Sequence, residues 1–176
     1  ARTEELLARM AAWRARSPAS YGLLLRDLRL SSEAAIMAIE TGNAPALLET
    51  IALYAEGLRK LGEASSVDIF SLEHRAIGAC AAACGVTYKP CGAGGGDIGI
   101  ALSNDPLRLR EFRLRVSREG FREIGLELDA CGLRVNGYGE EHHGRIEHPA
   151  AATASQPLAH AGVLQTVGGG ARAMGA

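Results

Sequence analysis

The 176-residue chain has almost no net charge, no long apolar run and no paired cysteines, and each absence removes a class of function. Nineteen Lys and Arg against 20 Asp and Glu leave a formal net charge of −1. Such a balance supplies no bulk attraction to nucleic acid or to an anionic membrane surface, so neither is expected as a partner. No stretch reaches the roughly 18 consecutive apolar residues of a membrane-spanning helix. Ala1-Arg2-Thr3-Glu4-Glu5 opens directly into an amphipathic pattern and lacks the basic-then-apolar layout of a secretory signal. None of the four cysteines (Cys80, Cys84, Cys91 and Cys131) has the C-x-x-C spacing of a zinc or redox motif. Cys80 and Cys84, one helical turn apart in an alanine-rich run, read as small buried apolar residues. A reducing, cytoplasmic compartment fits this usage. What is present, 47% apolar and 22% charged residues, suits one globular domain with a real core and a tail.

The order of patterns is helices first, then a small sheet. Glu4 to Arg16 carries Leu6, Leu7, Met10 and Trp13 at helical spacing, and Ser17-Pro18 ends it. Tyr21 to Leu30 reads as a second helix, and Ser31-Ser32-Glu33 as the start of a further one running to Glu40. Thr41-Gly42-Asn43 closes that helix and caps the next, whose stripe Leu47, Leu48, Ile51, Ala52, Ala55 and Leu58 runs to Leu61, with Gly62 as its stop. Ser71 caps a helix over Leu72 to Cys84 that Gly85 ends. Val86-Thr87-Tyr88 and Ile98 to Leu102 have strand character. Leu107 to Glu119 suits a helix through Leu109, Phe112 and Val116, although Leu107 to Arg110 alternates like a strand; its length and Pro106 favour helix. Ile124, Leu126 and Leu128 alternate with acidic residues as a half-buried strand, with a partner strand at Leu133 and Val135. From about Gly137 to Ala176 the pattern is lost, which predicts a disordered Ala/Gly-rich tail after a domain over residues 1–136. The fold class is therefore α+β.

One segment suggests chemistry rather than packing. Between two apolar stretches lie the 14 residues Lys89-Pro90-Cys91-Gly92-Ala93-Gly94-Gly95-Gly96-Asp97-Ile98-Gly99-Ile100-Ala101-Leu102, five of them glycine. Such a loop lets backbone approach a ligand closely and lets N–H groups converge on an anion. A P-loop is excluded because no Lys-Ser or Lys-Thr follows the glycines. Gly94, Gly96 and Gly99 match the dinucleotide spacing formally, but a strand and a turn follow where that fingerprint needs a helix. A tight strand connection with no ligand is the remaining alternative, and five glycines exceed what a simple turn requires.

The same segment resembles the third conserved motif of the GHMP kinases, a family of small-molecule kinases. It is most similar to the phosphomevalonate branch, whose version runs Lys-Pro-Ser-Gly-Ala-Gly-Gly-Gly-Asp-Cys-Gly-Ile-Ala. The mevalonate kinase version lacks the aspartate, so Asp97 points to the phosphomevalonate branch. Val67-Asp68-Ile69-Phe70-Ser71-Leu72-Glu73-His74 and Trp13-Arg14 look like that branch too. The resemblance covers about residues 1–136 and implies a helix-rich, ferredoxin-like C-terminal half whose glycine loop faces an N-terminal half across the active-site cleft. It further implies transfer of the γ-phosphoryl group of ATP, with Mg2+, onto the phosphate of 5-phosphomevalonate to give the diphosphate.

Under this resemblance Gly92, Ala93, Gly94, Gly95 and Gly96 form the phosphate- and substrate-binding loop, with N–H groups that stabilise charge on the transferring phosphoryl. Lys89 would add a point charge to a phosphate. Asp97 would orient the loop by accepting backbone N–H bonds, or act near the metal. Cys91 stands where the branch has a serine that contacts substrate, and a thiol is a weaker donor. No catalytic residue is expected in this chain, because the family's Pro-x-x-x-Gly-Leu-Gly-Ser-Ser-Ala-like ATP loop and catalytic Lys or Asp belong to the N-terminal half and do not occur here. The expectation is a C-terminal half, either a fragment or one piece of a split enzyme, that is inactive alone and partners an N-terminal GHMP domain and a small phosphorylated substrate. Other GHMP activities, such as a mevalonate or sugar kinase, and a non-catalytic module that binds a phosphometabolite or a partner, are the alternatives. His142, His143 and His148 read as solvated tail residues. The arginines of 108–118 read as a solvated helix face, and Glu73-His74 falls short of H-E-x-x-H and needs no special role.

Overall fold

The computed structural model describes residues 3–92, 98–125 and 160–165, and the account below concerns these. The chain begins with three helices, α1 (Thr3–Arg16), α2 (Pro18–Glu40) and α3 (Ala44–Ser65). Helix α4 (Leu72–Cys84) leads into strands β1 (Thr87–Pro90) and β2 (Ile98–Ser103), then α5 (Pro106–Arg118), β3 (Arg122–Ile124) and β4 (His160–Gln165). The strands form an antiparallel sheet in the order β1-β2-β4-β3. This is the α+β class expected from the pattern.

Local chemistry sets most boundaries. Asn43 accepts a hydrogen bond from the Ala46 N–H at 3.1 Å and starts α3. Ser71 does the same for α4 through the His74 N–H, and Asp105 for α5 through the Leu107 N–H at 2.8 Å. Each cap satisfies a donor that the first helical turn leaves without a partner, a contribution of about 1 kcal/mol. Gly85 ends α4 with φ +65°, and the Val86 N–H returns to the Ala81 carbonyl at 2.9 Å.

Three expectations need correction. Ser31 and Ser32 do not begin a helix; they lie inside a continuous 23-residue α2. Their hydroxyls donate backwards to the carbonyls of Asp27 and Leu28, at 2.9 and 3.1 Å, instead of capping forwards. Gly62 does not stop α3, which runs on to Ser65. A Cβ at Gly62 would stand 2.7 Å from the Val67 carbonyl oxygen, so its lack of a side chain serves the chain's return across the helix. The span 137–176, expected as a disordered tail, contains β4, which lies between β2 and β3 in the sheet. The expected strand residues Leu126, Leu128, Leu133 and Val135 lie outside the described residues, as do Cys131, His142, His143 and His148.

Two cores result. Ile77, Ala81 and Cys84 of α4 and Leu109, Phe112 and Val116 of α5 pack with Val86, Tyr88 and Ala101, so both helices cover one face of the sheet. The run α4-β1-β2-α5-β3, with both helices on one face, follows the ferredoxin-like pattern after its first strand. The second core joins Trp13, Leu28, Leu61, Val67 and Ile69 among α1, α2, α3 and the segment after α3. Trp13 is 4% exposed and meets Tyr21 edge-on, with ring centroids 5.2 Å apart. Cys84 is buried in the first core as expected, whereas Cys80 is only half-buried against it. The arginines of α5 point outward, with Arg108, Arg113 and Arg115 paired to Asp105, Glu123 and Glu111. No helix among the described residues is long and apolar enough to cross a membrane.

Candidate functional site

The glycine-rich segment connects the antiparallel strands β1 and β2. Their register pairs Tyr88 with Ala101, Lys89 with Ile100 and Pro90 with Gly99. Beyond the last pair, the Cys91 N–H donates to the Ile98 carbonyl at 2.9 Å and carries the ladder one step further. Gly92 then turns away with φ +70°, a conformation that favours glycine. The segment thus joins the two arms of a hairpin whose stem is fixed by consecutive pairs. Ala93, Gly94, Gly95, Gly96 and Asp97 lie outside the described residues.

The sequence-predicted residues that are described gather at this end. Cys91 is half-buried. Lys89 is half-buried, and its Nζ donates to the Pro90 carbonyl at 2.9 Å. Among the described residues the Lys89 ammonium has no carboxylate within ion-pair distance.

Beneath the stem lies a feature that composition and spacing did not single out. His74, in the first turn of α4, is fully buried. Its Nδ1 lies 2.6 Å from the hydroxyl oxygen of Tyr88, which is itself buried in β1. Burial pushes the Tyr88 phenol well above its usual range, and the nearby Cys91 pushes it further in the same direction. The phenol therefore keeps its proton at neutral pH, and the hydroxyl and the imidazole share one buried hydrogen bond. The Tyr88 ring lies diagonally across β2: a Cβ on Gly99 would stand 2.1 Å from the hydroxyl oxygen. Glu73-His74 was expected to need no special role. The two partners are 14 residues apart in different elements, so no local pattern announces the pair.

A separate cleft of about 540 Å³ opens between the end of α3 and the start of α4, with Arg59, Glu63, Asp68 and Arg75 on its walls. Its charges largely satisfy one another. Arg59 pairs with Glu56 and Glu63, and Arg75 donates to the Phe70 carbonyl at 2.8 Å and lies 3.4 Å from Asp68. Arg59 also holds the Glu56 carboxyl below its ordinary range through their hydrogen bond. Among the described residues no group of three or more His, Cys, Asp or Glu could hold a metal ion.

Comparison with known proteins gives a partial relative. The chain is 34% identical over 87 residues to phosphomevalonate kinase from Streptomyces sp. (strain CL190), a stretch that covers 49% of this chain and 23% of that protein. The chain thus spans about a quarter of the length of the curated relative it matches. No family model matches, and no solved structure matches significantly. The match relates the chain to a kinase.

Proposed function

We propose that this chain is the phosphate-cradling half of a GHMP-type small-molecule kinase, with 5-phosphomevalonate as acceptor and ATP as donor. The observation that carries the reading is the glycine-rich connection at the end of the β1–β2 hairpin, with the half-buried Lys89 ammonium beside it. The partial match to a phosphomevalonate kinase supports the same branch.

In this reading the backbone N–H groups of Gly92 through Gly96 face the transferring phosphoryl group. Phosphoryl transfer needs positioning and charge stabilisation more than covalent help from the protein, and a loop without Cβ atoms provides both at short range. Lys89 contributes a positive charge at the loop's base. Asp97 orients the loop. Cys91 replaces a hydroxyl donor by a thiol, so the contact it makes with the acceptor is weaker. Magnesium would come as the ATP complex, neutralising phosphate charge. The nucleotide loop and the catalytic base come from an N-terminal GHMP domain, which is the partner this reading requires. The working place of the assembly is the cytoplasm.

The test is an ATP-dependent turnover assay with 5-phosphomevalonate, run on the 176 residues alone and with an N-terminal GHMP domain from the phosphomevalonate branch. The expected result is no turnover alone and ADP formation with the partner. Turnover by the chain alone would overturn the half-site reading. Binding of phosphorylated ligand without turnover in either arrangement would favour a non-catalytic phosphometabolite-binding module.

A further inference from the structure

We infer that His74 and Tyr88 act together as positioning residues for the glycine loop, holding the hairpin stem that flanks it in the sequence. This rests on the phosphate-binding reading of that loop.

The pair joins three elements at one point. His74 is anchored in α4, whose first turn is capped by Ser71 through the His74 N–H itself. Its Nδ1 meets the Tyr88 hydroxyl at 2.6 Å, and Tyr88 belongs to β1. The Tyr88 ring in turn fills the space over Gly99 of β2, the neighbour of the residue that closes the loop. Each arm of the hairpin is therefore held within three residues of the Cys91–Ile98 hydrogen bond, one by the tyrosine backbone and the other by its ring.

Packing alone does not call for this chemistry. The surrounding core is made of Ile77, Ala81, Val86, Ala101, Leu109 and Phe112, and a phenylalanine would fill the ring's place. A buried hydroxyl and a buried imidazole both lose water, and the hydrogen bond between Nδ1 and the hydroxyl offsets part of that cost. What the hydrogen bond adds is direction: it fixes the Tyr88 ring torsion, and with it the surface on which Gly99 rests. A loop rich in glycine has the largest conformational entropy to lose, so a rigid stem beneath it preserves affinity for an anion.

Amide hydrogen exchange and ligand affinity test the inference together. In the full 176-residue chain, Tyr88→Phe is expected to speed exchange of the Cys91 amide about tenfold, in line with the loss of one buried hydrogen bond. Exchange at Leu109 and Phe112 in α5 should stay unchanged. Calorimetric affinity for ATP or 5-phosphomevalonate should fall by a similar factor. His74→Leu should reproduce these effects, whereas His74→Asn, which keeps a polar atom near the place of Nδ1, should restore most of the protection. Unchanged Cys91 exchange in Tyr88→Phe, or equal acceleration in α5, would overturn the positioning role. Should Tyr88→Phe unfold the chain, His74→Asn against His74→Leu decides by the same two amide sets. If the wild-type chain binds neither ligand alone, the affinity comparison is made with the N-terminal GHMP domain present; absence of binding there overturns the phosphate reading, while the exchange data still decide the role of the pair.

Discussion

Gly99 and Tyr88 share one volume: the hydroxyl of Tyr88 lies where the β-carbon of any other residue at 99 would be, 2.1 Å from that position. The two sit on the same face of adjacent strands, diagonal to one another across the pair Tyr88–Ala101. Gly99→Ala must therefore displace the ring, and the ring cannot move without leaving His74. The expected cost is about 1–3 kcal/mol, the usual range for overpacking a core. Urea unfolding measures it, and a midpoint equal to wild type would show that the ring has another place to go.

Two helical glycines separate propensity from packing. Gly22 in α2 has nothing within 4 Å of a Cβ position, whereas at Gly62 in α3 that position is 2.7 Å from the Val67 carbonyl oxygen. Gly22→Ala should stabilise the chain by up to about 1 kcal/mol, the propensity difference between the two residues. Gly62→Ala gains the same propensity but pushes on backbone that closes the helix, where the Val67 N–H returns to the Gly62 carbonyl at 3.0 Å. A net loss of roughly 1–2 kcal/mol is expected there. Thermal melts of both variants check the opposite signs; a gain from Gly62→Ala would mean that the turn after α3 yields freely.

The same contrast explains what the sequence revealed. Asn43, Ser71 and Gly85 were legible as boundaries because each acts on backbone three or four residues away. Gly62 was misread because the contact that requires glycine comes from Val67, after the chain has reversed. Ser31 and Ser32 were misread because a hydroxyl can serve the turn before it as readily as the turn after it. The position of β4 depends on pairing with β2 across about sixty residues, which alternation within a segment cannot reveal. At the candidate site, the glycines were visible as a composition anomaly, and Lys89 and Cys91 only through the resemblance of that segment to a kinase motif. The His74–Tyr88 bond was not, because each partner looks ordinary within its own element.

Burial of the Tyr88 phenol gives stability a definite slope in alkali. Its folded pKa lies above the value of about 10 for an exposed tyrosine. Above that pH the unfolded chain releases the proton and the folded chain keeps it, so the unfolded state binds fewer protons and stability falls as pH rises. The contribution is fully present below pH ~10 and declines above it by at most about 1.4 kcal/mol per pH unit. Cys80 and Cys84, also raised by burial, add a loss of the same sign from lower pH. Tyr88→Phe removes the first contribution and keeps the second. Denaturant midpoints from pH 8 to 11 should therefore converge for the two proteins above pH 10, and parallel curves would refute the assignment.

The glycine loop itself is testable by bulk. Its proposed task is to bring backbone N–H groups against a phosphoryl group, which leaves no room for a branched side chain at Gly94. In the assembly with an N-terminal GHMP domain, Gly94→Val should lower kcat about a hundredfold or more, the scale seen when a charge-stabilising donor is lost. Gly94 lies outside the core clusters of the described residues, so the melting temperature of the chain should change little. Loss confined to kcat/KM through a raised KM would indicate that the loop binds ground state and transition state alike. Turnover close to wild type would remove the loop from the phosphate site, whatever the partner domain supplies.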